Sequence, residues 1–266
     1  MARARAFTLP PVTPADSALH ILLKYGRNTS PSPAVFNKQP NKTGKSQTFL
    51  PLGMTNFIPI FPLSVVVFPE ERLNLHIFEP RYKQLIHESA TSKKPFGIPV
   101  VVDNKLQEWG SLVYLEEIVQ IDEKGEMDIR TRGGDLFRIL EVIREIPEKL
   151  YSGAIVNYPE NNLNGSAGVM QQLVKQMRTL HDYLQVKKEF RKDDHLLTAY
   201  DIAHHSGLTI HEEYEFLQLT QERQRQEYLK RHFEKTLPVF EKMDQLKQKI
   251  KMNGHFRSLG GFDLKG

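Results

Sequence analysis

Three residue patterns in this sequence are of types that could do chemistry, and the first is a fragment of a phosphate-binding loop. Gly44-Lys45-Ser46 matches the end of a loop in which backbone N–H groups and a lysine hold nucleotide phosphates. The full pattern also needs a glycine at position 39, where this chain has Gln39, and no apolar strand precedes it. We therefore reject a nucleotide site. The absence of cysteine also excludes thiolate nucleophiles, thiolate zinc sites and disulfides.

The second pattern is a group of histidines and acids that could bind a metal: His204, His205, His211, Glu212 and Glu213. A zinc-protease helix requires His-Glu-x-x-His, and Glu215 stands where the second histidine would be. Within this group no two histidines have the i, i+4 spacing that places two ligands on one helix face. We expect a solvated polar helix face and no metal.

The third pattern is the Ala-x-x-x-Gly step of helix-turn-helix modules, at Ala203–Gly207. A DNA-reading helix should begin with Arg, Asn or Gln, whereas His211–Glu215 contains three acids that would repel phosphates. We interpret the charged stretch Gln221–Lys235, which includes Arg225, as a solvated helix face with local ion pairs.

The net charge of +4 and the isoelectric point near 9.0 come from one part of the chain. Residues 1–53 carry seven basic side chains and one acidic side chain. Subtraction from the totals leaves 29 basic and 31 acidic residues in 54–266. A nucleic-acid binder should carry its basic patch on the folded part, so this distribution disfavours nucleic-acid binding.

Residues 1–56 are predicted to be a disordered basic leader, because they are rich in Pro, Ser, Thr and Asn and poor in acids. Three interpretations stay open: translation from Met54, a genuine disordered tail, or an organellar transit peptide. No apolar core of a secretory signal follows the early arginines. No apolar run is long enough to cross a membrane. We expect a cytoplasmic protein, since the cytoplasm suits a chain without cysteine.

Residues 57–158 are predicted to form a β lobe with one short helix, arranged as a small barrel. Pro80 should open that helix, Arg81–Ser89, because a first-turn residue does not need its N–H. Turn residues separate several of the strand candidates, which are Ile58–Leu63, Val65–Pro69, Leu73–Phe78, Phe96–Val102, Gly110–Ile121, Glu126–Thr131, Leu136–Ile143 and Tyr151–Asn157.

Residues 166–252 change to helical periodicity and are predicted to form a bundle-like lobe of four helices. The first carries the apolar stripe Met170, Leu173, Met177, Leu180 and Leu184. The others are predicted at Leu196–His205, from Thr209 to about Lys235 with a capping box to Glu212, and after a break at Pro238. Asn253-Gly254 should end the last helix, leaving 253–266 as a flexible tail.

The β lobe contains the motifs Phe61-Pro62-Leu63 and Val65–Pro69, and above all the run from Leu73 to Tyr82, Leu-Asn-Leu-His-Ile-Phe-Glu-Pro-Arg-Tyr. In these motifs it resembles the N-terminal domain of Lon proteases. Gly110–Val113 and Gly134–Leu140 extend the resemblance, and a weaker likeness covers the helices to about residue 250.

This resemblance implies an α+β fold, with a PUA-like β barrel followed by helices, and a role in substrate recognition. It implies binding of unfolded or client proteins, with a full-length Lon protease as a further possible partner, and a place in protein quality control. We expect no cofactor, no membrane partner, no ATPase and no peptidase. The alternative is an RNA-binding module, because PUA-like barrels of other families bind RNA.

The candidate peptide-binding residues are Phe68, His76, Phe78, Glu79, Arg81 and Tyr82. A structural interpretation of the same residues is favoured: Glu79 and Arg81 fix the strand-to-helix corner, while Phe78 and Tyr82 enter the core. Separately, the prolines and apolar residues near 59–69 would let a sheet edge accept an extended peptide.

Overall fold

The computed structural model of the protein describes residues 56–258, with side chains described as far as residue 250. Residues 1–55 of the predicted leader and residues 259–266 of the predicted tail lie outside the described residues. In chain order the elements are β1 (Asn56–Pro59), β2 (Arg72–Ile77), α1 (Pro80–Ser92), β3 (Phe96–Val102), β4 (Lys105–Ile121), β5 (Met127–Ile143), β6 (Gly153–Asn157), α2 (Ala167–Leu184), a 3₁₀ turn (Asp194–Leu196), α3 (Ala199–Ala203), α4 (Ile210–Leu217) and α5 (Glu222–Ser258).

The strands form one antiparallel sheet in the order β1-β6-β5-β4-β3, with β2 paired to the first half of β5. Parallel bridges from Ile60 to Gly97 and from Leu63 to Val100 join the segment after β1 to β3. The two ends of the sheet therefore meet, and the sheet closes into a barrel. The predicted α+β class is confirmed.

Two strand predictions are wrong. Val65–Pro69 is buried but lies outside the ladder, because side chains satisfy its backbone: the Ser111 hydroxyl donates to the Val67 carbonyl, and Phe68 N–H donates to Glu71. The candidates at 126–131 and 136–143 are one strand, β5. Gly133 lies inside it, where a Cβ would clash with the Phe68 carbonyl.

The helical predictions are confirmed in part. Pro80 occupies the first turn of α1, four of the five stripe residues of α2 are buried, and Thr209 and Glu212 form the capping box of α4. The helix predicted at 196–205 is shorter, at Ala199–Ala203.

The helix predicted from Thr209 to Lys235 is two helices, separated at Gln218–Gln221. The predicted break at Pro238 is also wrong, since α5 continues through Pro238 and past Gly254 to Ser258. Contacts made earlier in α5, where Leu229 and Phe233 are fully buried, stabilise the helix on the N-terminal side of the proline.

The β lobe (residues 56–157) and the helical lobe (residues 167–258) share a core. Val66, Phe68 and Leu136 pack in one buried cluster with side chains of α2, α3, α4 and α5. The rest of the barrel interior is filled by two clusters from the β lobe alone. Within residues 56–258, no helix combines the length and the apolar character needed to cross a membrane.

Candidate peptide-binding surface

The corner between β2 and α1 leaves Phe78 on the surface. The strand alternates, with Leu73, Leu75 and Ile77 directed inward and the intervening residues outward, and Phe78 continues the outward series with 59% of its surface exposed. The structural interpretation that buried Phe78 is therefore wrong. The period-two alternation of the sequence already contained the signal for exposure.

Glu79 and Arg81 stabilise this corner, as the structural interpretation predicted. The Arg81 Nε and the nearer terminal nitrogen lie 2.8 Å and 2.7 Å from Glu79 Oε2. The Glu79 carbonyl accepts hydrogen bonds from the N–H groups of Tyr82 and Lys83, both at 3.0 Å. Both charged side chains remain partly exposed, so they also present charge to solvent beside Phe78.

Tyr82 enters the core. Its ring lies 3.9 Å, centroid to centroid, from that of Phe61, and the Arg81 guanidinium lies 4.5 Å from its centre on the solvent side. Burial raises the pKa of the Tyr82 hydroxyl. The Tyr82 side chain therefore packs beneath the corner, in the core, and is not part of the exposed surface.

His76 lies on the same side of β2 as Phe78, with its ring centroid 6.2 Å from that of Phe78. Nδ1 lies 2.8 Å from Asp128 Oδ1, and Nε2 lies 3.2 Å from Glu126 Oε2. The hydrogen bonds to Asp128 and Glu126 raise the pKa of His76. A polar, charge-bearing group therefore adjoins the exposed aromatic ring.

The β4–β5 hairpin ends beside this corner. Ile77 pairs with Met127, which pairs on its other side with Ile121, and the Lys83 ammonium donates to the Lys124 carbonyl in the hairpin turn at 2.9 Å. Ile121 and Val119 are both about half exposed. The register places Ile121 on the face of the sheet that carries Ile77 and Met127, opposite His76 and Phe78. We call the set His76, Phe78, Glu79 and Arg81 the corner surface.

Phe68 is the most buried of the candidates, with 1% of its surface exposed, against 6% for Tyr82. Its ring stacks on Tyr200 at 5.3 Å and meets Phe216 edge-on at 5.6 Å, in the core shared by the two lobes. In this conformation Phe68 packs the lobe junction, so we do not include it in the corner surface.

His204 joins the two lobes, and the prediction that it lies on a solvated helix face is wrong. Nε2 lies 3.0 Å from Glu71 Oε2 in the β lobe, and Nδ1 lies 2.6 Å from Glu213 Oε1 in α4. Burial disfavours the charged ring, but the charge of Glu71 and the hydrogen bonds to Glu213 and Glu71 outweigh it and raise the pKa of His204 to about 10. Sequence could not reveal this bridge, because Glu71 is 133 residues away.

The interpretation of Gln221–Lys235 as a wholly solvated face is wrong at Arg225, because the side chain of Arg225 is 0% exposed. Its guanidinium pairs with Glu222 at 2.8 Å and donates to the hydroxyl of Tyr200, to Asn161 Oδ1 and to two backbone carbonyls. Glu222 in turn accepts from the N–H of Ala199, at the start of α3. The network ties the segment that follows the β lobe, at Asn161 and Asn162, to α3 and α5.

The sequence interpretation missed an open cleft of about 670 Å³ between α4 and α5. Its lining alternates in charge and includes Glu212, Glu215, Arg231 and Lys235. Tyr228 donates to Glu215 across it at 3.0 Å. Among the side chains that the structure describes, no group of three or more His, Cys, Asp or Glu residues is arranged to hold a metal ion.

The outer face of the barrel carries arginines that are already paired. Arg132 contacts Glu70 at 2.9 Å and Glu116 at 3.3 Å, and Arg130 contacts Glu117 at 2.7 Å. Phosphate binding depends on lysines and arginines whose charge is available to neutralise phosphates. This face does not provide such a patch.

The predicted sheet edge at 59–69 is partly occupied, because the bridges at Ile60 and Leu63 pair it with β3. The preceding strand, β1, is the terminal strand of the sheet order and carries an exposed ring at Phe57. That ring covers Gly153 on β6, where a Cβ would clash with it. Phe57 is thus an apolar surface feature separate from the corner surface.

These features describe an α+β domain in which, among the described side chains, the charged core groups are paired and the exposed aromatic rings lie on the β lobe. A family model for the substrate-binding domain of the ATP-dependent protease La (LON) matches residues 58–235, and the chain belongs to that family.

Two solved structures share the fold. A Lon N-terminal domain protein from Xanthomonas campestris is 21% identical, with a TM-score of 0.50 over 65% of this chain and 96% of that one. The N-terminal domain of Lon protease from the Mycobacterium avium complex is 13% identical, with a TM-score of 0.50 over 68% of this chain and 99% of that one. At these identities the likeness concerns the fold alone.

Proposed function

We propose that this chain recognises unfolded or exposed peptide segments of client proteins through the corner surface. The observation that carries the proposal is the exposure of Phe78, a large aromatic side chain at the end of a barrel strand. Large aromatic side chains supply a disproportionate share of the binding energy at protein interfaces.

The surroundings of Phe78 suit a peptide. Phe78 supplies the exposed apolar centre of the corner surface. The polar and charged side chains of His76, Glu79 and Arg81 adjoin the ring. A small apolar centre with a polar rim is the usual anatomy of a protein-binding surface.

The proposed role is recognition without unfolding or hydrolysis. The family that matches is a substrate-binding domain. The sequence supplies no cysteine nucleophile and no complete phosphate loop, as set out above. On this proposal, work on bound clients requires a separate protein, for which a full-length Lon protease is the partner we favour. A cytoplasmic location and a role in protein quality control form part of the same proposal.

RNA binding is the alternative that an experiment must separate. The pairing of Arg130 and Arg132 with glutamates counts against it in the β lobe. The basic residues of 1–53 still give the full chain a sequence-independent attraction for RNA.

The test uses fluorescence anisotropy to measure binding of the full chain to three labelled ligands, at low and high salt. The ligands are a permanently unfolded model protein, an unstructured peptide and a short RNA. We expect micromolar binding of the unfolded protein that changes little with salt. Phe78→Ala should weaken it by about tenfold, the effect of losing one interface anchor. RNA binding through the basic leader should fall with salt and be unaffected by Phe78→Ala.

Leu196→Ala is the matched control, since Leu196 is equally exposed but lies in the 3₁₀ turn beyond the β lobe. It should leave client binding unchanged. Binding of RNA alone, with no response to unfolded protein, would overturn the proposal. So would client binding that Phe78→Ala and Leu196→Ala weaken equally.

A further inference from the structure

The second half of α5 carries an apolar seam that no described residue covers. Leu229 and Phe233 are fully buried, and Leu237 and Phe240 still pack partly against the core. Beyond them, four apolar side chains are between 48% and 63% exposed: Val239, Met243, Leu246 and Ile250. The helix therefore leaves the core while its sequence continues to present apolar residues.

The spacing of these four residues is that of a coiled-coil seam. Steps of four, three and four place them at alternating d and a positions of a heptad, on one line along the helix. The line is one residue wide and extends about 16 Å at 1.5 Å per residue. A seam this narrow matches a second helix, whereas helices that lie on membranes bury a broader apolar face.

The residues that flank the seam decide what kind of helix fits. Lys242 and Lys249 stand at g positions and Lys247 at an e position, the places that face a partner helix. Among the side chains described, none of these lysines forms an ion pair with a carboxylate. The nearby acids, Glu241 and Asp244, lie away from the seam and accept hydrogen bonds from Gln245 and Gln248.

A second copy of this chain does not complement this surface. In a parallel pair Lys242 of one helix would face Lys247 of the other, and in an antiparallel pair lysine would again face lysine. Like charges across such a seam disfavour pairing. Residues 1–53 are not a complement either, because seven of their eight charged side chains are basic.

We propose that the seam Val239–Ile250 docks an amphipathic helix of a partner protein whose flanking positions carry glutamate or aspartate. This surface is distinct from the corner surface, so a client and the helical partner can bind at the same time.

The test uses two labelled synthetic helical peptides with the same leucine and isoleucine seam, one with glutamate and one with lysine at every e and g position. Both resist self-pairing through like-charge repulsion. With the full chain, the glutamate peptide should bind at least about tenfold more tightly than the lysine peptide, and added salt should reduce that ratio.

Leu246→Gln should weaken binding of the glutamate peptide by about tenfold. Replacing Lys242, Lys247 and Lys249 by glutamine should make the affinities for the two peptides equal. Gln248→Ala, on the opposite side of the helix, is the control and should change neither affinity. Circular dichroism of each variant checks that α5 still forms.

Three outcomes would overturn the proposal. The first is equal binding of both peptides. The second is a dimer of the full chain in light scattering that Leu246→Gln converts to monomer, which would assign the seam to a second copy. The third is binding to phosphatidylserine vesicles without binding to either peptide, which would assign it to a membrane.

Discussion

Phe68 and Phe78 are ten residues apart in the same signature, and the structure uses them in opposite ways. Phe68 is enclosed by Tyr200, His204 and Phe216 at the junction of the two lobes, whereas Phe78 stands on the surface beside His76. A sequence motif can therefore combine residues that pack the core with a residue that stays exposed. Family resemblance alone does not separate the two.

The contrast between Phe68 and Phe78 is tested most directly by replacing each of the two residues with alanine. Phe68→Ala should lower the free energy of unfolding by about 3–5 kcal/mol, because it leaves a cavity in a packed core. Phe78→Ala should change it by no more than about 0.5 kcal/mol, because the ring contributes little to folding at an exposed site. Urea denaturation of both variants measures the difference. Equal losses would contradict the contrast between the two residues.

The lobe junction should also respond to pH through His204. Below about pH 6.5 the folded and unfolded states both hold the proton, and the charged bridge to Glu71 and Glu213 contributes fully. As pH rises toward about 10, the unfolded state loses the proton while the folded state keeps it. Stability should then fall by up to about 1.4 kcal/mol per pH unit.

His204→Gln isolates this contribution. It keeps a donor for one carboxylate but cannot titrate, so the difference in unfolding free energy between the two proteins should shrink from pH 6.5 toward pH 10. Leu196→Ala, which removes an exposed side chain that does not titrate, serves as the control and should leave the dependence of unfolding free energy on pH as it is in the wild type. If the unfolding free energies of the wild type and of His204→Gln changed with pH in parallel, the bridge from His204 to Glu71 and Glu213 would not be charged.

The smallest effect is expected at the corner itself. A double-mutant cycle on Glu79 and Arg81 should give a coupling energy of about 0.2–1 kcal/mol, since both side chains are partly exposed. A coupling energy several times larger would mean that the Glu79–Arg81 pair contributes to folding stability as strongly as the buried residues of the signature do.

Local patterns in the sequence predicted several elements of both lobes. The alternation of β2, the proline that opens α1 and the capping box of α4 each depend on residues within a few positions of one another. The stripe of α2 was predicted for the same reason. Exposure of Phe78 was also within reach, because Phe78 falls on the outward positions of the alternating strand candidate Leu73–Phe78.

The remaining features depend on partners far away in the chain. His204 and Arg225 read as ordinary charged residues of polar segments until Glu71 and Asn161 are brought beside them. The coil at Val65–Pro69 has strand-like residues, but Ser111 and Glu71 satisfy its backbone instead of a neighbouring strand. Contacts of this kind cannot be deduced from spacing within a single sequence.

The pairing of β1 with β6 has a consequence for synthesis of the protein. Asn56 finds its partner at Val156, 100 residues further along the chain. At ribosomal rates of roughly 5–20 residues per second, β1 waits for about 5–20 seconds before its partner exists. During that interval Phe57 and Ile58 are an unprotected apolar strand, so the nascent chain itself is open to chaperones before the finished barrel can bind anything.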